Sequence, residues 1–268
     1  MKDSKQNMRA CVVVGSSFSQ ENTDHLQRIS LQTPFGEGEI FRVLDSESYL
    51  QFRHGCPHRF LPNQINWRAQ AWMWKELNID VLLLTSSVGV MDPQIPLYTP
   101  LIASDLLMPF NQLPDGSSCS LFTTPQPNHG HLLLQDGMFH SGLNAYLRRQ
   151  IEEKGLLSHD VIFAYVPGPR TKTPIENRFW QQQGAQVNSM SIGPEAVLAN
   201  ELQIPVTALL IGHKYSLPSS TTASEKKHTH QSIDASLQES KKASEELIWN
   251  FLRKPPQVSF ANHLYQFS

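Results

Sequence analysis

The chain has 268 residues, a formal net charge of −2, 40% apolar residues and 17% charged residues. This length fits one α/β domain or two small ones, with ample sequence for a core. With no basic stripe and no apolar run near 18 residues, we expect neither a nucleic-acid partner nor a membrane span. Three scattered cysteines and no signal-peptide core favour a reduced, cytoplasmic compartment.

The first elements in chain order are strands that lead into polar loops. Residues 11–14 are a β-branched apolar run that ends in the small-residue loop 15–17. Residues 31–52 predict a twisted hairpin, whose last strand leads directly into Arg53 and His54. A guanidinium and an imidazole at a strand end suit phosphate oxygens, although a surface pair is the commoner explanation for such a dipeptide alone.

A helix and a second buried strand follow. Asn63 is a plausible N-cap for a helix that ends near Asn78 and carries apolar residues on one face. Residues 81–84 predict a buried strand, which ends in the hydroxyl-bearing residues 85–87.

The middle of the chain is less regular. Residues 101–103 are a short strand candidate, and 111–130 predict a long loop that carries His129. His131 lies just beyond it, and solvated loop histidines are at least as plausible here as functional ones. Residues 139–154 predict an amphipathic helix.

Strands and helices then alternate to the end of the chain. The predicted strands are 161–166, 187–190 and 206–211, and the predicted helices are 174–183, 195–202 and 237–253. Residues 217–236 contain few large apolar residues, and we expect a flexible low-complexity segment there.

This alternation predicts an α/β fold with a largely parallel sheet. Ligands of such sheets bind at the carboxyl ends of the strands, where Ser17, Ser86 and Ser191 would converge beside Arg53 and His54. Three hydroxyls, a fixed positive charge and a titratable donor suit a free phosphate. Neither a Walker loop nor a dinucleotide fingerprint is present, so phosphate is expected as a substrate or as part of one.

Several motifs, in matching order and spacing, resemble the trimeric purine nucleoside phosphorylase family, in particular the methylthioadenosine and methylthioinosine phosphorylases. They are residues 12–17, Arg53-His54-Gly55 with His58, residues 62–77, 86–89 and 168–170, and Met190-Ser191 followed by residues 194–199.

The resemblance implies one phosphorylase-type domain over residues 1–268, with a central mixed, largely parallel sheet flanked by helices. It implies a pentosyltransferase that uses inorganic phosphate as co-substrate, without a cofactor or metal. Phosphate would attack C1′ while the bond to the purine stretches, through a transition state with oxocarbenium character. It also implies a homotrimer, in which the 111–131 loop is a candidate for closing a neighbour's site.

Residue roles follow from the same resemblance. The phosphate site would comprise Ser17, Arg53, His54, Ser86 and Ser191. The nucleoside site would comprise Ser87, Met190, Thr171 and His213. The catalytic set would be Arg53, His54 and His213.

Four positions of the base pocket depart from the family pattern. Phe18 stands where the family has glycine, and Thr171, Lys172 and His213 replace its usual base-reading residues. Neither the purine base nor the 5′ substituent therefore follows from the sequence. A non-catalytic homologue that binds phosphate or a nucleoside is an alternative function. A nucleoside hydrolase is a weaker one, because water needs no such phosphate cradle.

Overall fold

The computed structural model describes residues 8–16, 18, 20, 23–127, 129–217 and 230–266, with the backbone alone for 230–236. The predicted phosphate ligand Ser17 and most of the predicted low-complexity segment lie outside these residues. Within them, no helix is both long enough and apolar enough to cross a membrane.

Strands and helices alternate along most of the chain. The strands are β1 (Ala10–Val14), β2 (Leu26–Thr33), β3 (Gly36–Val43), β4 (Tyr49–Phe52), β5 (Val81–Val90), β6 (Pro100–Leu107), β7 (Gly130–Leu133), β8 (His159–Tyr165), β9 (Val187–Ser189), β10 (Val206–Tyr215) and β11 (His263–Gln266). The helices are α1 (Trp67–Glu76), α2 (Ser141–Glu152), α3 (Pro174–Gln182), α4 (Gly193–Glu201) and α5 (His230–Arg253).

Within the described residues, nine strands form one mixed sheet in the order β10-β6-β8-β9-β5-β1-β4-β3-β2. Strand β10 also pairs with β5, so β5, β10, β6, β8 and β9 close into a ring. The pairs β1–β4, β1–β5, β5–β10, β6–β8 and β8–β9 are parallel. The predicted α/β class and its mixed, largely parallel sheet are confirmed.

One edge of β5 changes its partner along its length. The pairing with β1 ends at Leu84, and the pairing with β9 begins at Gly89. On the other edge, β10 stays paired from Leu82 to Val90. The backbone of residues 85–88 therefore lacks a neighbouring strand on one side, and the side chain of Arg53 reaches this opening.

The prediction that β5 and β10 end near residues 84 and 211 was wrong. Both strands continue because they pair with each other in parallel as far as Val90 and Tyr215. Ser86 and His213 consequently lie within strands and not in the loops that follow them.

Three further differences concern where elements begin and an element in the C-terminal tail. Strand β2 begins at Leu26, earlier than the predicted hairpin, because it pairs with β3 along its whole length. Helix α5 begins at His230, so the last part of the predicted low-complexity segment is helical. The tail beyond α5, for which no element was predicted, contributes β11, which pairs with β7.

The core lies on both faces of the sheet, since side chains of a strand alternate between its faces. Cys11 and Val13 of β1 pack in the cluster that includes Trp74 of α1 and residues of α4. Val12 and Val14 pack in the other cluster, with α2 and α5. Within the first cluster the indole N–H of Trp74 donates to Gln51 Oε1 at 2.7 Å, which satisfies both buried polar groups.

The N-cap of α1 is Asn66, so the prediction of Asn63 was wrong. The side-chain oxygen of Asn66 accepts a hydrogen bond from the backbone N–H of Ala69 at 3.0 Å. Residues 62–64 form a turn instead, in which the backbone N–H of Gln64 donates to the carbonyl of Leu61. The helix therefore starts one turn later than the sequence suggests.

We expect Asn66→Ala to lower the free energy of unfolding by about 1 kcal/mol, the usual cost of losing an N-cap. Asn63→Ala is the matched control, because this exposed asparagine caps nothing; its effect should stay within about 0.5 kcal/mol. Urea unfolding of both variants measures the difference. Equal losses would contradict the assignment of the cap.

Candidate functional site

Arg53 fills the opening beside β5. It follows β4 directly, and its backbone N–H donates to the carbonyl of Val14 at 3.0 Å, which continues the sheet by one residue. Its side chain is 1% exposed, and Nη1 donates to the carbonyl of Thr85 at 2.8 Å. A Cβ on Gly15 would lie 3.1 Å from Nη1, so a glycine at this position leaves room for the guanidinium.

A carboxylate from a distant part of the chain holds this arginine. Nε and Nη2 of Arg53 donate to the two carboxylate oxygens of Glu195 at 2.8 and 2.9 Å, and both side chains are 1% exposed. Together with the Thr85 contact, three of the five guanidinium N–H bonds are engaged. The fork that the sequence offered to phosphate is therefore occupied by Glu195, which leaves two N–H bonds for an anion.

Glu195 also fixes the loop that precedes α4. Its Oε2 accepts a hydrogen bond from the backbone N–H of Ile192 at 2.9 Å. Ile192 has φ = 70°, which is strained for a β-branched residue and occurs mainly where the surrounding structure enforces it. The same carboxylate thus orients the arginine and holds the turn that carries Ser191.

Three serine hydroxyls form a closed ring beside the arginine. The Oγ atoms of Ser86 and Ser191 are 3.0 Å apart, those of Ser86 and Ser189 are 3.2 Å apart, and those of Ser189 and Ser191 are 2.9 Å apart. Each hydroxyl can rotate to donate elsewhere without moving its oxygen. The ring can therefore present up to three O–H donors to an anion at little structural cost.

His54 completes this end of the site as a neutral ring. Its Nδ1 lies 2.8 Å from the carbonyl of Phe60, which only accepts, so Nδ1 carries the hydrogen and Nε2 is left as an acceptor. The ring of His58 stacks on it at 4.6 Å. Burial lowers the pKa of His54 to about 4. The Phe60 hydrogen bond opposes this shift, and the charges of Arg53 and His58 add to it.

Cationic side chains mark the other end. Lys172 lies in the segment before α3 and Lys214 lies at the end of β10, and both line the same cavity. Burial and then the charge of Lys214 lower the pKa of Lys172 to about 8. Burial and then Lys214 also lower the pKa of His213.

A cavity of roughly 450 Å³ joins the two ends. It is lined by eight of the nine residues that the sequence nominated: Arg53, His54, Ser86, Ser87, Thr171, Met190, Ser191 and His213. Ser17, the ninth, lies outside the described residues. The structure brings these side chains together, while their individual roles stay predictions.

The cavity also contains residues that the sequence analysis did not nominate. Ser189 lies two positions before Ser191, a period-2 signal that could have found it. Asn177 and Asn188 carried no local signal. Asn188 Nδ2 donates to Asn177 Oδ1 at 3.0 Å, and Asn177 Nδ2 donates to the carbonyl of Ser216 at 2.9 Å, so this amide chain ties α3 to the end of β10.

Phe18 does not line the cavity that holds Arg53, but it lines a smaller one that shares Ser86, Ser87 and His213 with it. Its ring lies 6.3 Å from that of Phe52 and 6.5 Å from that of Trp249, and it packs in the core cluster beneath α5. Its place in the base pocket stays a prediction.

The two predicted loop histidines, His129 and His131, lie away from this cavity. His129, in the 111–130 loop, stacks on Phe122 at 4.3 Å. Within the described ranges, no group of three or more His, Cys, Asp or Glu side chains is arranged to hold a metal ion.

The sequence model of the Phosphorylase superfamily matches residues 9–253 of the chain. The chain belongs to this superfamily. A relative from Thermodesulfovibrio yellowstonii, named as a probable S-methyl-5′-thioinosine phosphorylase, is 28% identical over 217 residues. The alignment covers 79% of this chain and 79% of the relative. The 6-oxopurine nucleoside phosphorylase of Pyrococcus furiosus is 26% identical, with 93% of both chains covered.

A solved structure shares the fold. Methylthioadenosine phosphorylase from Schistosoma mansoni, in complex with adenine, superposes with a TM-score of 0.72 at 18% identity. The match covers 90% of this chain and 89% of the other. The phosphorylase-type architecture that the motifs predicted is thus confirmed.

We expect Glu195→Gln to lower the free energy of unfolding by about 3–5 kcal/mol, because it leaves a buried guanidinium without its counter-charge. Asp160→Asn is the control. It breaks the exposed pair with Arg148, whose contacts are 2.6 and 2.7 Å, and should cost less than about 1 kcal/mol. Denaturant unfolding compares the two, and similar losses would contradict the structural role of the buried pair.

We expect His54 to remain neutral as the pH falls, until about pH 4, because burial disfavours its cation. Nitrogen-15 NMR of the histidine side chains follows the titration and also reports the hydrogen on Nδ1. His54→Asn assigns the resonance. A midpoint near 6.5, the ordinary histidine value, would show that the ring is not shielded as the structure indicates.

Proposed function

We propose that the chain is a purine nucleoside phosphorylase. It cleaves the N-glycosidic bond of a purine nucleoside, or of a 5′-methylthio purine nucleoside, with inorganic phosphate. The products are the free base and ribose 1-phosphate or its methylthio analogue, so the enzyme is a pentosyltransferase. The observation that carries this proposal is the hydroxyl ring beside Arg53, in one cavity with the cationic end, in a member of the Phosphorylase superfamily.

At the phosphate end, the phosphate would be bound by several weak hydrogen-bond donors, because the net charge there is small. Arg53 is neutralised by Glu195, so its remaining N–H bonds and the hydroxyls of Ser86 and Ser191 would orient phosphate. Orientation of two reactants in one cavity accounts for a large part of the rate in such displacements. Ser17 remains a proposed further ligand.

The sugar and base would occupy the rest of the cavity. Met190 and Ser87 would lie against the ribose, with Thr171 and His213 near the base. Charge that develops on the departing base would be stabilised by hydrogen-bond donors there. The reaction needs no cofactor, and phosphate is the co-substrate.

We further propose a cytoplasmic homotrimer. The family resemblance supports the trimer, and so do two large apolar side chains on α3, Ile175 at 69% exposure and Phe179 at 51%. A neighbour's 111–131 loop would close the site. Three unpaired cysteines in the described chain support a reducing compartment.

A non-catalytic homologue that binds a nucleoside or phosphate is the second candidate. The occupied fork of Arg53 and the cationic base end favour it, because both differ from what the family resemblance implies. Turnover separates it from the enzyme.

We expect release of free base from at least one of inosine, adenosine, guanosine, methylthioinosine and methylthioadenosine, and only when phosphate is present. Chromatography measures the base, and phosphorus-31 NMR measures the sugar 1-phosphate. Ser191→Ala should lower kcat/KM by about tenfold or more, the cost of one hydrogen bond to a charged group. Arg53→Ala should abolish most of the rate.

Ser30 is exposed on β2 and lies outside the cavity, and Ser30→Ala is the control for the hydroxyl loss. Base release without phosphate would indicate a hydrolase. A folded protein that binds phosphate and releases no base from any of the five nucleosides would favour the non-catalytic homologue.

A further inference from the structure

The charges that line the cavity are of one sign. Its described lining residues include Arg53, Lys172, Lys214 and two histidines, and no aspartate or glutamate is among them. Arg53 is neutralised from behind by Glu195. The net positive charge of the cavity therefore resides at the end formed by the two lysines.

Among the described residues, no carboxylate neutralises either lysine. Glu176 is the acidic group that acts on Lys172, but it already accepts two hydrogen bonds from Arg170, at 2.9 and 2.7 Å. In the described part of the chain, neither lysine is within ion-pair distance of an acidic side chain. The ammonium group of Lys172 is partly desolvated and experiences the charge of Lys214, which is costly unless a ligand offsets it.

A charged lysine has three donors and no acceptor. A base with a carbonyl oxygen facing it gains a charge-assisted hydrogen bond. A base with an amino group at that position places donor against donor, and a site built for one hydrogen-bonding pattern rejects the other strongly.

We propose that Lys172 and Lys214 determine the base specificity, so that this chain acts on nucleosides of oxopurines in preference to those of 6-aminopurines. The inference rests on the proposed phosphorolysis. A phosphate oxygen forms a bond to C1′ while the bond from C1′ to N9 breaks. The bonding electron pair stays on the base, which leaves as an anion stabilised by the two ammonium groups. The proton that remains on the sugar phosphate passes through solvent to the base.

The test compares kcat/KM for inosine and adenosine, and for their 5′-methylthio counterparts, so that the 5′ group cancels within each pair. The wild-type enzyme should favour the oxopurine in both pairs. Lys172→Gln should lower the oxo-to-amino ratio by about 10- to 100-fold, the worth of a charge-assisted hydrogen bond. Lys172→Arg should retain the preference, and Lys214→Gln should weaken it.

Arg149→Gln is the matched control. It removes one positive charge from the exposed surface of α2, outside the cavity, and should leave the ratio unchanged. A preference for adenosine, or a ratio that Lys172→Gln does not alter, would overturn the proposal while leaving phosphorolysis intact.

If no nucleoside is cleaved, binding measurements test the base specificity. Calorimetry with hypoxanthine and adenine in the presence of phosphate should show tighter binding of hypoxanthine, and Lys172→Gln should remove the difference. Equal binding, or tighter binding of adenine, would overturn the specificity. An absence of turnover with the expected binding would instead overturn the proposed function alone.

The pH dependence gives an independent readout. Lys172 is faced by Lys214, His213 and Glu176, the last held by Arg170. As the pH rises through about 8, Lys172 loses its proton and can also accept, so the wild-type preference should decline. Lys172→Gln should lack this decline, whereas the ionisation of inosine itself affects both enzymes equally. A decline that persists in the variant would contradict the role of Lys172.

Discussion

The buried pair of Arg53 and Glu195 is the interaction on which the site depends. Desolvation of two charges is expensive, and bidentate geometry with further hydrogen bonds is what offsets it. Here Thr85 satisfies the arginine and the backbone N–H of Ile192 satisfies the carboxylate. The pair therefore joins the end of β4, the unpaired edge of β5 and the start of α4, three segments that are far apart in the sequence.

Other features of the site follow from that constraint. The guanidinium needs space beside β1, which Gly15 provides. The carboxylate holds Ile192 at a positive φ, and the resulting turn directs Ser191 towards Ser86. The hydroxyl ring is thus a consequence of how the pair fixes the loop before α4, and not an independent assembly of polar residues.

Much of this arrangement could be predicted from sequence because strand ends converge in α/β sheets. Ser86, Ser191 and His54 were found by that rule, although β5 continues beyond the point where its local pattern ends. The partner of Arg53 could not be found, because Glu195 lies 142 residues away and no local period marks it. The contact between Phe18 and Trp249 could not be predicted for a similar reason, since only the tertiary fold brings the two rings together.

The two ends of the cavity differ in charge, and the difference has a direction that suits the proposed reaction. Negative charge moves during phosphorolysis from the phosphate to the departing base. Glu195 cancels the charge of Arg53, so in the proposed reaction the phosphate end would hold its ligand without strongly stabilising the nucleophile in the ground state. Lys172 and Lys214, which line the cavity, would act on charge that is present only once the bond to the base has stretched. Interactions that strengthen only in the transition state are the ones that raise the rate. A neutralised arginine at the phosphate end and two lysines without a counter-charge at the base end would therefore both favour the transition state over the ground state.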